Sequence, residues 1–176
     1  CMYPRECPQP MKEDYLLTGP LEDTNEGYAL AKIMGVKTAN YYYKQYGMVT
    51  VCPIACNIYG TNDYFDFQRG HVIAALVRRF VDAHKEGVSA VTLWGTGETR
   101  REFIHVDDVA EAIVFLMECC DTPDPVNVGS STDITIRDLA IRIANLVGYR
   151  GEIRWDPNKP DGMPRKCLDV SRLKGM

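Results

Sequence analysis

The chain has 176 residues, 45% of them hydrophobic and 25% charged, and its 20 Lys and Arg against 24 Asp and Glu give a formal charge of −4. Such a composition is that of one globular domain, or a large part of one, and argues against wholesale disorder. The acidic balance offers no basic stripe to nucleic acid, and no apolar run reaches the roughly 20 residues that cross a membrane. Charges and prolines interrupt the first residues, unlike a signal peptide. We therefore expect a soluble, cytoplasmic protein without nucleic-acid or membrane partners.

The cysteines are odd in number and lie in unrelated sequence contexts. Cys52 and Cys56 form a CPIAC pair, but no second Cys or His pair follows at the spacing of a zinc site. The sequence therefore predicts no metal site. Most of the cysteines are expected to be small buried side chains in a reducing compartment.

The N-terminal third predicts an irregular segment, a helix and a strand. Four prolines prevent a long helix in residues 1–23. Apolar residues recur at helical intervals over 26–46, and Gly47 suits the end of that helix. The β-branched run 48–55 predicts a buried strand, and a loop rich in Asn, Asp and Gly follows it.

The rest of the chain alternates helices with short strands. The sequence predicts helices over 71–85, 106–119 and 135–147, strands over 90–94, 101–105, 125–129 and 152–155, a turn over 95–98 and a tail broken by Pro and Gly from 157. This alternation predicts βαβ units, and the fold class is therefore α/β with a parallel sheet.

Tyr28 and Lys32 stand four residues apart, so both side chains project from one face of the predicted helix. An ammonium group beside a phenol stabilises the phenolate, which suits a tyrosine to acid/base chemistry. The spacing alone is weak evidence. In the alternative interpretation Tyr28 faces the core and Lys32 is solvated.

Five motifs occur in order along the chain and strengthen the catalytic interpretation. They are CMYP at 1–4, TNEGYALAK at 24–32, NIYGTNDYFD with GHVIAALVRRF over 57–80, WGTGETRREFIHVDD at 94–108 and KPDGMPRKCLDVSRL at 159–173. Together they resemble the extended short-chain dehydrogenase/reductase family of NAD-dependent epimerases and dehydratases. The similarity is strongest to members that use NADPH to invert C3 and C5 and to reduce C4 of GDP-4-keto-6-deoxy-D-mannose, giving GDP-L-fucose.

The resemblance implies part of a doubly wound, Rossmann-like parallel sheet together with a smaller α/β region that binds the sugar nucleotide. Residues 1–70 would be the C-terminal part of the dinucleotide-binding domain. Residues 71–176 would be mainly the GDP-sugar region, with some elements returning to the Rossmann core. The cofactor would be NADP, the substrate a GDP-sugar and the assembly a homodimer.

The resemblance also assigns roles to single residues. Tyr28 would be the catalytic tyrosine with Lys32 as its partner, and Cys1 and His71 would be the acid/base pair for C3 and C5. The residues implied in cofactor binding are Lys32, Ala55, Cys56, Asn57, Ile58 and His71. The residues implied in substrate binding are Arg79, Trp94, Arg101 and Asp161, with Lys166 as a weaker candidate for a phosphate.

Each of these roles has a structural alternative. His71 could only cap its helix, and Cys1 could be a buried thiol. Arg79 could belong to a solvated helix face, and Trp94 could pack in a core at the end of its strand. Two other functions also remain open: a non-catalytic module that binds a nucleotide sugar or self-associates, and another nucleotide-sugar epimerase or dehydratase.

The sequence departs from the family pattern in one important respect. A Gly-x-x-Gly-x-x-Gly loop should follow the first strand and bind the pyrophosphate, but the only similar stretch, WGTGE, lies far after Tyr28. The family's catalytic serine would stand two residues before Cys1. We therefore expect a fragment without the N-terminal Rossmann half and the C-terminal end. Such a fragment would have an unpaired sheet edge and, alone, a weakened affinity for NADP.

Overall fold

The computed structural model describes residues 1–66 and 70–176 and divides the chain into two compact units. Unit 1 comprises Cys1–Ile58, Glu102–Thr132 and Lys166–Met176, and unit 2 comprises Tyr59–Arg101 and Asp133–Arg165. Both contain helices and parallel strands, so the predicted α/β class is confirmed. Within the described ranges, none of the helices has the length and apolar character needed to cross a membrane.

Unit 1 is built on a pair of parallel strands. Its helices are α1 (Glu26–Tyr46), α3 (Val106–Cys119) and the short α5 (Ser171–Lys174). Strand β1 (Cys52–Ala55) pairs with β5 (Pro125–Val128) in the register Cys52↔Pro125 to Ala55↔Val128. The carboxyl ends of both strands therefore lie at the same edge.

The predicted helix over 26–46 is confirmed as α1, which ends at Gly47 with φ 67°, a conformation that glycine adopts without strain. Of the 21 residues of α1, only Ala29 and Ile33 are buried, where they pack with Leu21. The strand predicted over 48–55 is shorter than expected, because pairing with β5 begins only at Cys52.

Apolar side chains from separate parts of the sequence form the core of unit 1. Two buried clusters contain Tyr3, Met11, Ile54, Leu168 and Val170 in one, and Ile104, Val109, Leu116, Val126 and Val128 in the other. The first cluster ties the irregular N-terminal segment to the C-terminal residues, with a bridge between Met11 and Leu168. Burying apolar surface in this way supplies most of the stabilisation that offsets the conformational entropy of the chain.

Unit 2 packs helix α2 (Val72–Glu86) against α4 (Ile136–Val147) beside two parallel strands. Strand β3 (Ala90–Trp94) pairs with β7 (Glu152–Asp156) in register over all five residues. The fully buried ring of Phe80 lies 5.5 Å from that of Tyr149. Gly87 and Gly148 end the two helices in the left-handed conformation.

Four short strands lie where the chain passes from one unit to the other. They are β2 (Asn57–Tyr59), β4 (Arg100–His105), β6 (Asp133–Thr135) and β8 (Arg165–Lys166). The turn at 95–98 has positive φ at Gly95 and Gly97, as expected of a tight turn.

The expectation that most cysteines are buried is wrong. All seven are free thiols, but only Cys167 is fully buried, whereas Cys1 and Cys119 are exposed and the others are partly buried. The cores of unit 1 are filled mainly by larger apolar side chains, so most of the cysteines lie outside them.

Candidate active site

Tyr28 and Lys32 lie side by side on the exposed surface of α1. The Lys32 Nζ stands 5.4 Å from the centre of the Tyr28 ring, and Tyr28 is 61% exposed. The adjacent face, with Ala29 and Ile33, is buried and fixes the rotation of the helix. The alternative in which Tyr28 faces the core is therefore wrong. In this arrangement a cation is held close to the ring of an exposed tyrosine.

The residues predicted to lie along the nicotinamide form the segment 55–58 at the carboxyl end of β1. The Cys56 amide donates a hydrogen bond of 3.1 Å to the Val128 carbonyl, and the Asn57 Nδ2 donates one of 2.7 Å to the Glu102 carbonyl. Ile58 is 40% exposed. Ligands of open α/β sheets bind at this edge, and the segment is held there by bonds to neighbouring strands.

Cys56 takes part in this segment as a neutral thiol. Burial raises the pKa of Cys56 to about 12, and the negative charge of Glu102 adds to this effect. A thiol with so high a pKa is a poor nucleophile and a poor base at neutral pH. Its contribution is therefore through its backbone and its volume.

Glu102 is a buried carboxylate that the sequence interpretation missed. It has no exposed surface, and it accepts hydrogen bonds from the Ser131 amide at 2.6 Å, the Leu168 amide at 2.7 Å and the Ser130 hydroxyl at 3.4 Å. The alternation in β4 was the available signal, because Glu102 and the buried Ile104 are two residues apart and share one face of the strand.

Cys1 and His71 belong to different units. Cys1 is exposed. His71 precedes α2, and its carbonyl accepts the Ala75 amide at 2.8 Å, but within the described residues its side chain makes no capping hydrogen bond. The structure therefore gives no support to a capping role for the imidazole, which is exposed and open to a ligand. Lys166, the weaker phosphate candidate, is partly buried in β8.

Arg79 and Trp94 line one open cleft in unit 2, with a volume of about 480 Å³. The Arg79 Nη1 donates to the Thr92 carbonyl at 2.8 Å, and burial lowers the pKa of this guanidinium from its ordinary value. Arg79 is thus partly buried and oriented, which contradicts the solvated-face alternative. Trp94 is 68% exposed, with the Lys159 Nζ 5.6 Å from its ring centre, so the core-packing alternative is wrong as well.

Three acidic residues, Asp82, Glu86 and Asp156, also line this cleft and were not predicted. Asp82 pairs with Arg78 at 2.5 Å. The cleft therefore combines an exposed aromatic face, an oriented cation and carboxylates, groups that can stack on a base and bind polar edges.

Arg101 and Asp161 lie close enough to interact but also have partners within unit 2. The Arg101 Nη1 donates to the Met163 carbonyl at 2.7 Å, and burial lowers the pKa of Arg101 although Asp161 opposes this. The Asp161 carboxylate accepts from the Thr96 hydroxyl at 2.7 Å and the Thr96 amide at 2.8 Å, and these bonds hold its pKa below the ordinary value. Asp161 therefore fixes the turn at Gly95–Gly97.

Over residues 1–66 and 70–176, no three His, Cys, Asp or Glu side chains come together in a way that could hold a metal ion. The structure thus brings together Tyr28 with Lys32, the segment 55–58, Arg79 with Trp94, and Arg101 with Asp161. The functional roles of all these residues stay predictions.

Comparison with known proteins gives consistent similarities. A probable GDP-L-fucose synthase 1 of Oryza sativa subsp. japonica is 46% identical over 176 residues, which is all of this chain and 54% of that protein. The chain thus spans about half the length of the curated relatives it matches.

Two solved structures show the same fold. A GDP-D-glycero-L-gluco-heptose synthase from Campylobacter jejuni, crystallised in the presence of NADPH, is 30% identical with a TM-score of 0.84, over 99% of this chain and 60% of the other. A GDP-L-fucose synthetase from Naegleria fowleri bound to NADP, 24% identical, has a TM-score of 0.93 over 98% and 56% of the two chains. The latter likeness concerns the fold alone.

The family model described as the NAD dependent epimerase/dehydratase family matches residues 1–129. This match covers the Tyr28–Lys32 helix, the segment 55–58 and the strand that carries Glu102. The chain therefore belongs to the NAD dependent epimerase/dehydratase family.

Proposed function

We propose that the protein to which this chain belongs uses NADP to epimerise C3 and C5 and to reduce C4 of GDP-4-keto-6-deoxy-D-mannose, giving GDP-L-fucose. The observation that carries the proposal is the identity of 46% with the probable GDP-L-fucose synthase 1 of Oryza sativa along the whole chain. The Tyr28–Lys32 contact supports it, because the two residues proposed as the acid/base pair lie side by side and Tyr28 is exposed.

The C4 ketone of the substrate acidifies the protons on C3 and C5, so a weak base suffices to remove them. In the proposal one of Cys1 and His71 removes a proton from one face of the sugar, and the other returns a proton to the opposite face. Both side chains are exposed, as contact with a substrate requires. Inversion needs two groups of this kind, whereas an epimerase acting only at C4 does not.

The Tyr28 hydroxyl would donate a hydrogen bond to the C4 oxygen. It would stabilise the enolate between the proton transfers, and it would give the oxygen a proton during reduction. In the proposal Lys32, whose Nζ lies 5.4 Å from the centre of the Tyr28 ring, is the partner of this tyrosine.

The residues present fit the nicotinamide half of the cofactor. Lys32 is exposed beside Tyr28, and the segment Ala55, Cys56, Asn57 and Ile58 is tied down at the sheet edge where such ligands bind. His71 would complete this group. When bound, NADPH supplies the hydride for C4. The family's glycine-rich loop for the pyrophosphate does not occur in this sequence.

The GDP moiety would bind through unit 2. Arg79 and Arg101 provide guanidinium groups for the diphosphate, and Trp94 offers an exposed ring for stacking. Asp161 would contribute by holding the neighbouring turn, and Lys166 is a further candidate for a phosphate. The proposal keeps the functional division of the sequence, with residues 1–70 serving mainly the cofactor and 71–176 mainly the GDP-sugar.

We also propose a cytoplasmic homodimer. The large exposed apolar and aromatic residues of α1 support an interface on this helix, and they include Leu30, Met34, Tyr41, Tyr42 and Tyr46. The free thiols support a reducing compartment.

Tyr28→Phe in the full-length protein tests the reductase step. We expect kcat for NADPH oxidation with GDP-4-keto-6-deoxymannose to fall by about 10²- to 10⁴-fold, because the proton donor is lost. Tyr43→Phe is the matched control on the same helix and should retain wild-type kcat. A wild-type protein that does not consume NADPH with this substrate would overturn the proposed function.

Solvent exchange tests the epimerase steps separately. In D₂O the wild type should place deuterium at C3 and C5 of the sugar, while Cys1→Ser and His71→Gln should slow this by roughly 10²-fold or more. Mass spectrometry of the product measures the incorporation. Undiminished exchange in both variants would show that other residues move these protons.

A further inference from the structure

We infer that Glu102 is a positioning residue for the cofactor: its buried carboxylate fixes the loop on which the segment 55–58 rests, and so sets the affinity for the nicotinamide half of NADPH. The inference rests on the proposed function. It assigns a role to a residue that touches neither substrate nor cofactor in the proposed site.

The first observation is the energetic cost of Glu102. The residue has no exposed surface, and in the described part of the chain its carboxylate meets neutral hydrogen-bond donors and no cation. A buried carboxylate without a counter-charge is expensive, and the bonds to the Ser131 and Leu168 amides are what make it tolerable. An apolar side chain here would avoid this desolvation cost. We therefore expect the hydrogen bonds of Glu102 to serve a purpose that an apolar side chain could not.

The second observation concerns the loop that the carboxylate holds. Ser131 has φ 61°, a left-handed conformation that is uncommon for a residue other than glycine. Its amide donates the shortest of the Glu102 bonds, at 2.6 Å. Gly129 allows the close approach, because a Cβ there would overlap the Glu102 Oε1. The carboxylate thus imposes one conformation on residues 129–131, which directly follow β5.

The third observation connects this loop with the candidate cofactor segment. Strands β1 and β5 are parallel neighbours ending at the same edge, with Ala55 opposite Val128. The Cys56 amide donates to the Val128 carbonyl at 3.1 Å, and the Asn57 side chain donates to the Glu102 carbonyl at 2.7 Å. The segment 55–58 is therefore held from two sides, by β5, which leads directly into the loop that the Glu102 carboxylate holds, and by the Glu102 carbonyl.

Glu102→Gln in the full-length protein is the test, because it keeps the size of the side chain and replaces one acceptor oxygen with an NH₂ group. That group would face the Ser131 or the Leu168 amide, so one bond is lost. We expect KM for NADPH to rise roughly 3- to 10-fold, the factor that corresponds to one hydrogen bond. KM for the GDP-sugar should stay within about twofold, because the side chain of the neighbouring Arg101 is held by the Met163 carbonyl and not by the Glu102 carboxylate.

Glu13→Gln is the matched control. Glu13 is also a buried carboxylate of unit 1, and it accepts from the Asn127 amide at 2.9 Å, but within the described residues it accepts no hydrogen bond from the 129–131 loop. Both variants should lower the melting temperature, whereas only Glu102→Gln should raise KM for NADPH. Two results would overturn the inference and make Glu102 merely structural. One is the same KM for NADPH in Glu102→Gln and Glu13→Gln, and the other is an equal rise in KM for NADPH and for the GDP-sugar in Glu102→Gln.

A second variant serves if Glu102→Gln does not fold. Gly129→Ala would put a Cβ against the Glu102 Oε1 and displace the carboxylate from the Ser131 amide. It should raise KM for NADPH by a similar factor, and an unchanged KM would overturn the inference. A wild type without NADPH-dependent turnover would instead mean that the proposed function fails.

Discussion

The two units each bury a carboxylate, but they satisfy it in opposite ways. In unit 1 Glu102 accepts hydrogen bonds from backbone amides and a hydroxyl. In unit 2 the Asp133 side chain is 5% exposed and lies between two guanidinium groups, with the Arg100 Nε at 2.6 Å and the Arg165 Nε in direct contact. Among the described residues, one carboxylate has only neutral hydrogen-bond donors as partners, and the other is part of an ion triad.

This difference corresponds to two structural roles: Asp133 links strands, and Glu102 positions a loop. Burial alone would raise the pKa of Asp133, but the bonds from Arg165 and Arg100 outweigh it and hold the pKa below the ordinary value. The triad joins residues of β4, β6 and β8 that are distant in sequence. Glu102 instead orders a loop beside the candidate cofactor segment, and its charge is felt by Cys56. The ion pairs of Asp133 thus hold strands together, whereas the neutral donors around Glu102 order the loop beside the candidate cofactor segment.

The largest effect should follow from breaking the triad. Asp133→Ala leaves two guanidinium groups without their shared partner, and we expect the free energy of unfolding of unit 2 to fall by about 2 kcal/mol. The loss stays below that of a fully buried pair, because the Arg100 and Arg165 side chains are 43% and 44% exposed. Urea denaturation followed by fluorescence measures it, since Trp94 and Trp155, the only tryptophans of the chain, both lie in unit 2.

The exposed pair in the same unit is the control for this prediction. Glu152 and Arg154 are each 60% exposed, and exposed pairs contribute little. Glu152→Ala should therefore leave the midpoint of urea denaturation unchanged. A similar loss in both variants would show that burial of the Asp133 carboxylate has no special weight.

A smaller effect should be seen in the pH dependence of the stability that the Asp133 triad contributes. Since the folded pKa of Asp133 is depressed, its stabilising contribution is fully present above the unfolded value of about 4 and is lost as the pH falls through the folded value. The stability difference between the wild type and Asp133→Asn should therefore be constant from pH 7 to about 5 and shrink below about 4. A difference that persists unchanged at pH 3 would contradict the assigned ionisation.

Most of the regular elements could be predicted because they depend on local patterns. The helix over 26–46 and the strand over 90–94 have the predicted bounds, since apolar periodicity and a terminal glycine define them. Strands β2, β6 and β8 were missed. Each has three residues or fewer, and its extended form depends on pairing with distant residues rather than on its own sequence.

The candidate site was predictable only in part, and for a physical reason. Tyr28 and Lys32 meet on one helix, so their spacing already fixes their proximity. The burial of Glu102 could not be assigned with confidence, because a charged residue in a short strand usually faces solvent. The hydrogen bonds that satisfy its buried carboxylate come from the amides of Ser131 and Leu168, which lie 29 and 66 positions away in the sequence.

The smallest effect should be seen in the reactivity of one thiol. Because burial and then the Glu102 charge raise the pKa of Cys56, iodoacetamide at pH 8 should modify it at least about tenfold more slowly than the exposed Cys119. Glu102→Gln removes the charge but not the burial, so Cys56 should then react faster, because a lower pKa gives a larger thiolate fraction at pH 8. Mass spectrometry of peptides measures both rates, with Glu13→Gln as the control. If Glu102→Gln left the Cys56 rate unchanged, the carboxylate would not act on Cys56 as a charge, and its contrast with Asp133 would not hold.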